Sequence, residues 1–143
     1  MKYLFITIAA VVLVGCGPSV PDNDLQEAAG LGNIEAVKQH LAAGVDVNGW
    51  GDKGNEATPL YYAAQSGHKE IAELLIANDA DVNLRSGMII KTEDGDAGEQ
   101  MAQKSMNNRT PLDMAILFDH TEIADLLRKH GGKTGDELKA EGK

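Results

Sequence analysis

The chain repeats itself with a step of 35 residues. The segment LQEAAGLGNIEAVKQHLAAGVDVN begins at Leu25, and LYYAAQSGHKEIAELLIANDADVN begins at Leu60. A third copy, LDMAILFDHTEIADLLRKHGGKTG, begins at Leu112, a further 52 positions along. A fixed period in this range indicates short structural units that stack on one another, because one unit alone cannot bury its hydrophobic face.

Each copy opens with signals for the start of a helix. Thr58-Pro59 and Thr110-Pro111 precede the later copies. A threonine side chain accepts a hydrogen bond from an unpaired N–H of the first turn, and proline at the first helical position removes only an N–H that has no partner. In the first copy Asn23 takes the capping position and Asp24 takes the position of the proline.

A second helix is predicted in each copy from apolar residues at three- and four-residue steps. These residues are Val37 and Leu41, then Ile71, Leu74 and Leu75, then Ile123, Leu126 and Leu127. In the first copy the polar residues 38–40 (KQH) replace part of this pattern, which predicts a polar outer face for a terminal unit. Gly44, Asp79 and Gly131 lie where this helix should end in a left-handed residue.

The segment TPLYYAAQSGHKEIAELLIANDADVN resembles a nearly complete ankyrin repeat, and the resemblance extends from about Asn23 to Thr134. It implies an all-α ankyrin-repeat solenoid of about three helix-turn-helix repeats with hairpin-like finger loops. We expect repeats at about 23–57, 58–109 and 110–134, followed by a polar C-terminal tail, residues 135–143, that frays.

The chain departs from the ankyrin pattern at one position in every copy. The family's usual histidine after Thr-Pro-Leu is replaced by Gln26, Tyr61 and Asp113. This replacement leaves open the hydrogen bonding that the histidine makes between turns. His68 and His120 do occupy the position ahead of the second helix where the family commonly has histidine, so the resemblance assigns them a structural role.

Residues 84–108 form a long insertion in the second finger, which explains the 52-residue step. Most connections are shorter, and long ones tend to be functional or disordered. Two interpretations stay open, a flexible elaborated hairpin and a finger that binds a partner. The acidic stretch TEDGDAGE within it lacks the ligand spacing of a calcium-binding hand, so we expect no metal site there.

The N-terminus reads as a removable export signal. Lys2 precedes 12 apolar residues, 3–14, which are too few to span a bilayer and fit a secretory signal peptide. Leu13-Val14-Gly15-Cys16 resembles the bacterial lipobox. The resemblance implies a signal peptide at 1–15, lipidation (diacylglycerol, then possibly a further acyl chain such as palmitate) of Cys16, and a lipid-anchored tether at 16–22 that holds the domain at the membrane.

Loss of the signal removes one basic residue, so the mature chain carries a formal charge of 12 − 22 = −10. Such an acidic chain offers no surface for binding nucleic acid through its phosphates. Anionic lipid headgroups would also repel it, so the lipid rather than the protein surface makes the membrane contact. Because Gly17 rather than Asp follows Cys16, the family's sorting rule implies the periplasmic face of the outer membrane in a source with two membranes.

Signatures of catalysis are missing from the sequence. There is no nucleophile elbow, phosphate-binding loop or dinucleotide fingerprint, and no set of ligands with zinc spacing. A thin stack of helix pairs also encloses little volume in which a pKa could be shifted. We therefore expect no enzyme activity, no catalytic residues, no cofactor and no metal.

What remains is a surface for a protein partner. In the ankyrin family the concave face consists of first-helix residues and finger tips, which implies these candidate contacts: Trp50, Tyr62, Gln65, Met114, Leu117 and Phe118. The alternative is that some of them pack inside the fold. We expect a monomeric, membrane-anchored interaction module, possibly for a basic protein. An immunity or inhibitor protein against a secreted toxic enzyme and a scaffold for an envelope enzyme are the alternatives.

Overall fold

A computed structural model describes residues 23–51, 57–87 and 108–142. Its regular structure is entirely helical within these ranges. The helices are α1 (Leu25–Leu31), α2 (Ile34–Ala42), α3 (Pro59–Ser66), α4 (Lys69–Ala77), α5 (Pro111–Leu117), α6 (Thr121–Lys129) and α7 (Gly135–Ala140). The predicted all-α repeat architecture is confirmed. The predicted signal peptide, Cys16, the tether and most of the insertion lie outside the described residues.

Three helix pairs, α1–α2, α3–α4 and α5–α6, form the three repeats. The first helices pack side by side, α1 against α3 and α3 against α5, and the second helices lie alongside each other. A single core of buried residues runs from Leu25 to Leu127 through all three pairs. Paired alanines such as Ala28-Ala29 and Ala63-Ala64 are fully buried, because small side chains let neighbouring first helices approach closely.

The predicted helix starts are confirmed in the later repeats and shifted by one residue in the first. Thr58 and Thr110 accept hydrogen bonds from the N–H groups of Tyr61 and Asp113, and each precedes a proline. In the first repeat Asp24, not Asn23, is the N-cap. Its Oδ1 accepts from the Glu27 N–H at 2.7 Å. Asparagine and aspartate cap about equally well, so the sequence could not separate the two positions.

The predicted left-handed residues at the ends of the second helices are confirmed at Gly44, Asp79 and Gly131. A second set ends the first helices. Gly32 and Gly67 have φ of 78° and 80°. Glycine is required there for a further reason, because a Cβ at Gly32 would lie 2.6 Å from the imidazole of the next repeat's His68.

His40 corrects the prediction of a polar outer face on the first repeat. Its side chain is only 3% exposed, at the position that Leu75 and Leu127 occupy in the other repeats. Its Nε2 has no hydrogen-bond partner. The helix turns this position toward the core whatever residue fills it, so here the fold overrides polarity. Lys38 and Gln39 do remain exposed.

Side-chain amides and imidazoles join neighbouring repeats. Asn48 donates to the Asp79 carbonyl at 3.2 Å and accepts from the Asp81 N–H at 2.8 Å. Asn83 repeats the pattern one unit later. It donates to the Gly131 carbonyl at 3.1 Å and accepts from the Lys133 N–H at 2.8 Å. Each asparagine thus satisfies two backbone groups at the end of the next second helix.

The histidines ahead of the second helices make the corresponding bonds on the other side of the stack. His68 Nε2 donates to the Gly30 carbonyl at 3.1 Å, and His120 Nε2 donates to the Gln65 carbonyl at 3.1 Å. Because a carbonyl only accepts, Nε2 carries a proton in both rings. The structural role expected for His68 and His120 is therefore observed.

The three residues that replace the family's usual histidine each tie a first helix to the segment that follows its repeat. Gln26 donates to the Gly49 carbonyl at 2.7 Å. Tyr61 is hydrogen-bonded to Ser86, and burial raises the pKa of its hydroxyl above the ordinary 10.0. Asp113 accepts from the Gly135 N–H at 2.8 Å. Three different side chains thus fasten the helix start to the chain beyond it.

The segment expected to be a fraying tail instead forms α7. Thr134 and Glu137 build a capping box, in which Glu137 accepts from the Thr134 N–H at 2.7 Å. Leu138 is buried, and Arg128 of α6 lies 3.7 Å from the Glu137 carboxylate. The polar composition suggested fraying, but the capping box and one buried leucine hold this helix against the third repeat.

Replacing Asn83 with alanine should destabilise the chain by about 1–3 kcal/mol, because it leaves the half-buried Lys133 N–H without its acceptor. The measurement is urea unfolding of residues 17–143, which contain every residue of the described core. Asn78→Ala is the matched control. Its side chain bonds only within its own helix and is exposed, so the expected change is within about 0.5 kcal/mol. Equal losses for both variants would contradict the role of Asn83.

The Glu137 carboxyl should titrate below its ordinary pKa of 4.5, as followed by carbon NMR. The Thr134 backbone N–H, the Thr134 hydroxyl and the charge of Arg128 lower this pKa. A lowered folded-state pKa means that the capping interaction stabilises α7 above pH 4.5 and is lost as pH falls through the folded value. In Thr134→Ala the pKa should move part of the way back. In Thr121→Ala, at an exposed site on α6, it should not move.

Candidate functional site

The described part of the chain offers grooves rather than an enclosed pocket. The largest is an open depression of about 590 Å³ between the turns of neighbouring repeats, lined by residues that include Gly32, His68, Glu70 and Glu122. The His68 ring there is already bonded to the neighbouring repeat. No group of three or more His, Cys, Asp or Glu side chains within 23–51, 57–87 and 108–142 is placed to hold a metal ion.

Exposed apolar side chains concentrate on the first helices and the first finger. The large ones are Leu31, Val45, Trp50, Ile116, Leu117 and Phe118. Ile116, Leu117 and Phe118 are consecutive at the end of α5, with 48%, 51% and 43% of their surfaces exposed. We call these three residues the end patch. Three adjacent exposed apolar residues on an ordered helix are typical of an interaction surface.

Phe118 is held in place although it is exposed. Its ring stacks on the His120 imidazole, with centroids 6.4 Å apart and an interplanar angle of 17°. His120 is itself bonded to the Gln65 carbonyl of the preceding repeat. An aromatic ring fixed in this way loses little conformational freedom on binding, which favours it as an anchor for a partner.

Trp50 reaches from the first finger to the second. A Cβ at Gly87 would lie 3.0 Å from the outer atoms of the indole ring, so the ring rests on the glycine backbone. About half of the Trp50 surface remains exposed. The predicted contribution of Trp50 to an exposed surface is consistent with this position, and the ring also packs at the base of the second finger.

The base of the second finger is closed by backbone pairing. The Ser86 N–H donates to the Arg109 carbonyl, and the Asn108 N–H donates to the Ser86 carbonyl, both at 2.8 Å. Arg85 adds a bond to the Asn108 side chain at 2.8 Å. The chain therefore leaves and re-enters the stack at one point, beside Trp50. The role predicted for residues 84–108 remains a prediction, since most of them are outside the described ranges.

Tyr62 and Gln65 lie half-buried on α3. A Cβ at Gly30 would lie 3.6 Å from the Tyr62 Cβ, so Tyr62 packs against α1. Its ring also meets Tyr61 edge to face at 5.7 Å. Burial, then the neighbouring Tyr61 and Asp24, raise the pKa of the Tyr62 hydroxyl above 10.0. Both residues can contribute an edge to a contact rather than a full face.

Met114 does not belong to the exposed surface, contrary to the prediction. It is fully buried on α5, which packs against α3. Met114 occupies the same place in its helix as Tyr62, which packs back on α1, and the same direction carries Met114 into the stack. Its apolar character would have been compatible with either position.

Sequence reasoning missed two exposed residues, Leu31 and Ile116. Leu31 is 70% exposed and occupies the same place in its helix as Ser66 and Phe118. Ile116 stands where the earlier copies have Ala29 and Ala64, both fully buried. The replacement of a small interface residue by isoleucine in the last copy was the available signal, and it needed the end of the stack to be interpretable.

The membrane contact expected for this protein does not come from the described helices. The longest of them has nine residues, and none within the described ranges combines the length and apolarity that a bilayer crossing needs.

Comparison with known proteins agrees with this geometry. A family model for ankyrin repeats in three copies matches residues 9–86 and 25–137. Cyclin-dependent kinase 4 inhibitor B of Bos taurus is 29% identical over 126 residues, which cover 78% of this chain and 94% of that protein. Osteoclast-stimulating factor 1 of Danio rerio is 39% identical over 56 residues, covering 39% of this chain and 25% of that protein.

Rabankyrin-5 of Homo sapiens is 32% identical over 106 residues, which cover 72% of this chain and 9% of that protein. The chain thus spans a quarter or less of two of these three relatives. The shared part is the stack of helix pairs with its bonded asparagines and histidines. The family model covers most of the chain and the same helix pairs are present in the structure, so this chain belongs to the ankyrin repeat family.

Proposed function

We propose that this protein is a non-catalytic protein-binding module whose main contact is the end patch. The observation that carries the proposal is the row of exposed Ile116, Leu117 and Phe118 on an ordered helix, with the Phe118 ring fixed by His120. Ankyrin repeats are protein-interaction modules, and grooves that stay open to solvent suit binding better than chemistry. Trp50, Tyr62 and Gln65 are secondary contacts.

The partner that fits this chain best is a basic protein with an exposed apolar knob. The chain carries a formal net charge of −9, so long-range attraction would speed encounter with a positively charged partner. The apolar end patch would then supply most of the affinity, because buried aromatic and aliphatic anchors dominate interface energies.

The module is anchored to the membrane in this proposal. Cys16 would carry the lipid after cleavage behind Gly15, and residues 17–22 would tether the stack close to the bilayer. The support is the apolar run followed by Leu13-Val14-Gly15-Cys16. The domain would act at the bacterial envelope, on the periplasmic face of the outer membrane where the source has two membranes.

An inhibitor of an enzyme is the more specific version of this function. The similarity to cyclin-dependent kinase 4 inhibitor B supports it, because that relative is matched over 94% of its length and is named as an inhibitor. A stack of this size is therefore compatible with blocking an enzyme by binding alone. An immunity protein against a secreted toxic enzyme would be such a case, and a scaffold for an envelope enzyme is the alternative.

Capture of partners from an envelope extract on immobilised residues 17–143, followed by affinity measurement, tests the binding function. The double variant Leu117→Ala, Phe118→Ala should bind the captured partner about 30-fold or more weakly, as expected for loss of a central apolar anchor. Glu35→Ala, Lys38→Ala is the matched control, since this exposed ion pair lies on α2. Equal affinity of the two double variants would contradict the assignment of the end patch.

The same capture separates the two specific versions. A captured enzyme that is silent in the complex supports an inhibitor, and one that stays active supports a scaffold. Turnover of a small molecule by the purified chain itself would contradict a non-catalytic function.

Growth with an alkyne-labelled palmitate tests the anchor. The wild-type protein should take up the label and partition with membranes. Cys16→Ser should carry no label, because the chain has no other cysteine. Gly17→Asp should keep the label and, in a source with two membranes, change the membrane in which the protein is found. Labelling that persists in Cys16→Ser would contradict the lipid attachment.

A further inference from the structure

The third repeat leaves open an interface that the chain closes twice internally. Ala29 of α1 and Ala64 of α3 are fully buried, because another first helix lies against each of these helices. Ile116, at the same place in α5, exposes 48% of its surface. The helix α5 has a first helix on one side only, so the face that points away from α3 continues the internal interface.

The direction of this face is fixed by Gly30. A side-chain atom at Gly30 would meet Tyr62 of the following first helix at 3.6 Å, so this position points forward along the stack. Leu117 occupies the same position in α5 and is half-exposed. Leu117 and Ile116 therefore project from the end of the stack toward the place that a fourth first helix would fill.

We propose that the end patch is covered by the end patch of a second copy of this chain, in a closed two-fold dimer. The exposed face is that of a helix whose equivalents already accept another helix twice. Ile116, Leu117 and Phe118 form a self-complementary apolar surface, as an isologous two-fold contact requires.

Head-to-tail stacking of copies is disfavoured by the opposite end of the stack. There Glu27 of α1 takes the position that Tyr62 and Met114 fill in the later repeats. Stacking the first repeat of one copy on the third repeat of another would press the Glu27 carboxylate toward Leu117 and remove it from water, which is costly. Such a contact would also generate open filaments rather than a closed dimer.

The dimer is weak and depends on both concentration and salt. Three half-exposed side chains supply far less than the roughly 800 Å² per partner of a standard interface. Each copy also carries a formal net charge of −9, so the copies repel one another. Salt screens this repulsion beyond about 8–10 Å without weakening the apolar contact, so self-association tightens as ionic strength rises.

One consequence rests on the proposed function. Leu117 and Phe118 are covered in the dimer, so a partner protein and a second copy exclude one another. The self-association itself is measured on the isolated chain and stands or falls independently of any partner.

Sedimentation equilibrium of residues 17–143, from micromolar to millimolar concentration at low and high salt, tests the dimer. The expected result is a monomer–dimer equilibrium that shifts toward dimer with salt. Leu117→Glu should raise the dimer dissociation constant by about 10-fold or more. Leu31→Glu, at an equally exposed site in the first repeat, should leave it unchanged. Circular dichroism checks that both variants keep the wild-type helix content.

Disulfide trapping tests the symmetry of the contact. Residues 17–143 contain no cysteine, so a single introduced thiol can only pair with its copy. Ile116→Cys should form a covalent dimer on mild oxidation, because a two-fold contact brings the two copies of this position together. Leu31→Cys should do so much more slowly.

Three results would overturn the proposal. These are a monomer at millimolar concentration in high salt, a mass that grows beyond the dimer, and equal trapping of the two cysteine variants. A dimer that dissociates as salt rises would likewise reject an apolar contact between like-charged copies.

Discussion

Hydrogen bonds from the side chains of one repeat to the backbone of the next set the alignment on which the structure depends. No helix pair in this chain buries its apolar face by itself, so the core exists only where neighbours are held in register. Asn48 and Asn83 fix one side of that register, and His68 and His120 fix the other. Exposure of residues on the first helices follows from this alignment rather than from local polarity.

Features decided by a few neighbouring residues could be predicted from the sequence. Threonine caps, proline at the first helical position and left-handed residues such as Asp79 follow local backbone rules, and the structure confirms them. The helix α7 was equally accessible, because Thr134 and Glu137 have the spacing of a capping box. His40 was not accessible, since its burial depends on a position in the stack that polarity contradicts.

The candidate site shows the same division. Leu117 and Phe118 could be assigned to an exposed surface by their place after Thr110-Pro111-Leu112, and both are exposed. Met114 could not be distinguished from them, because the three differ only in direction around one helix turn. Exposure of Ile116 depends on the stack ending after the third repeat. Neither fact is contained in any short window of sequence.

The position of Trp50 makes the junction between the fingers visible to spectroscopy. It is the chain's one tryptophan, so its emission comes from a single place. The ring covers Gly87 on one side and meets water on the other. Separation of the two fingers would expose the covered side and move the emission to longer wavelength, while the helices beneath remained folded. Light emitted by one indole therefore reports the opening of the fingers separately from unfolding of the stack.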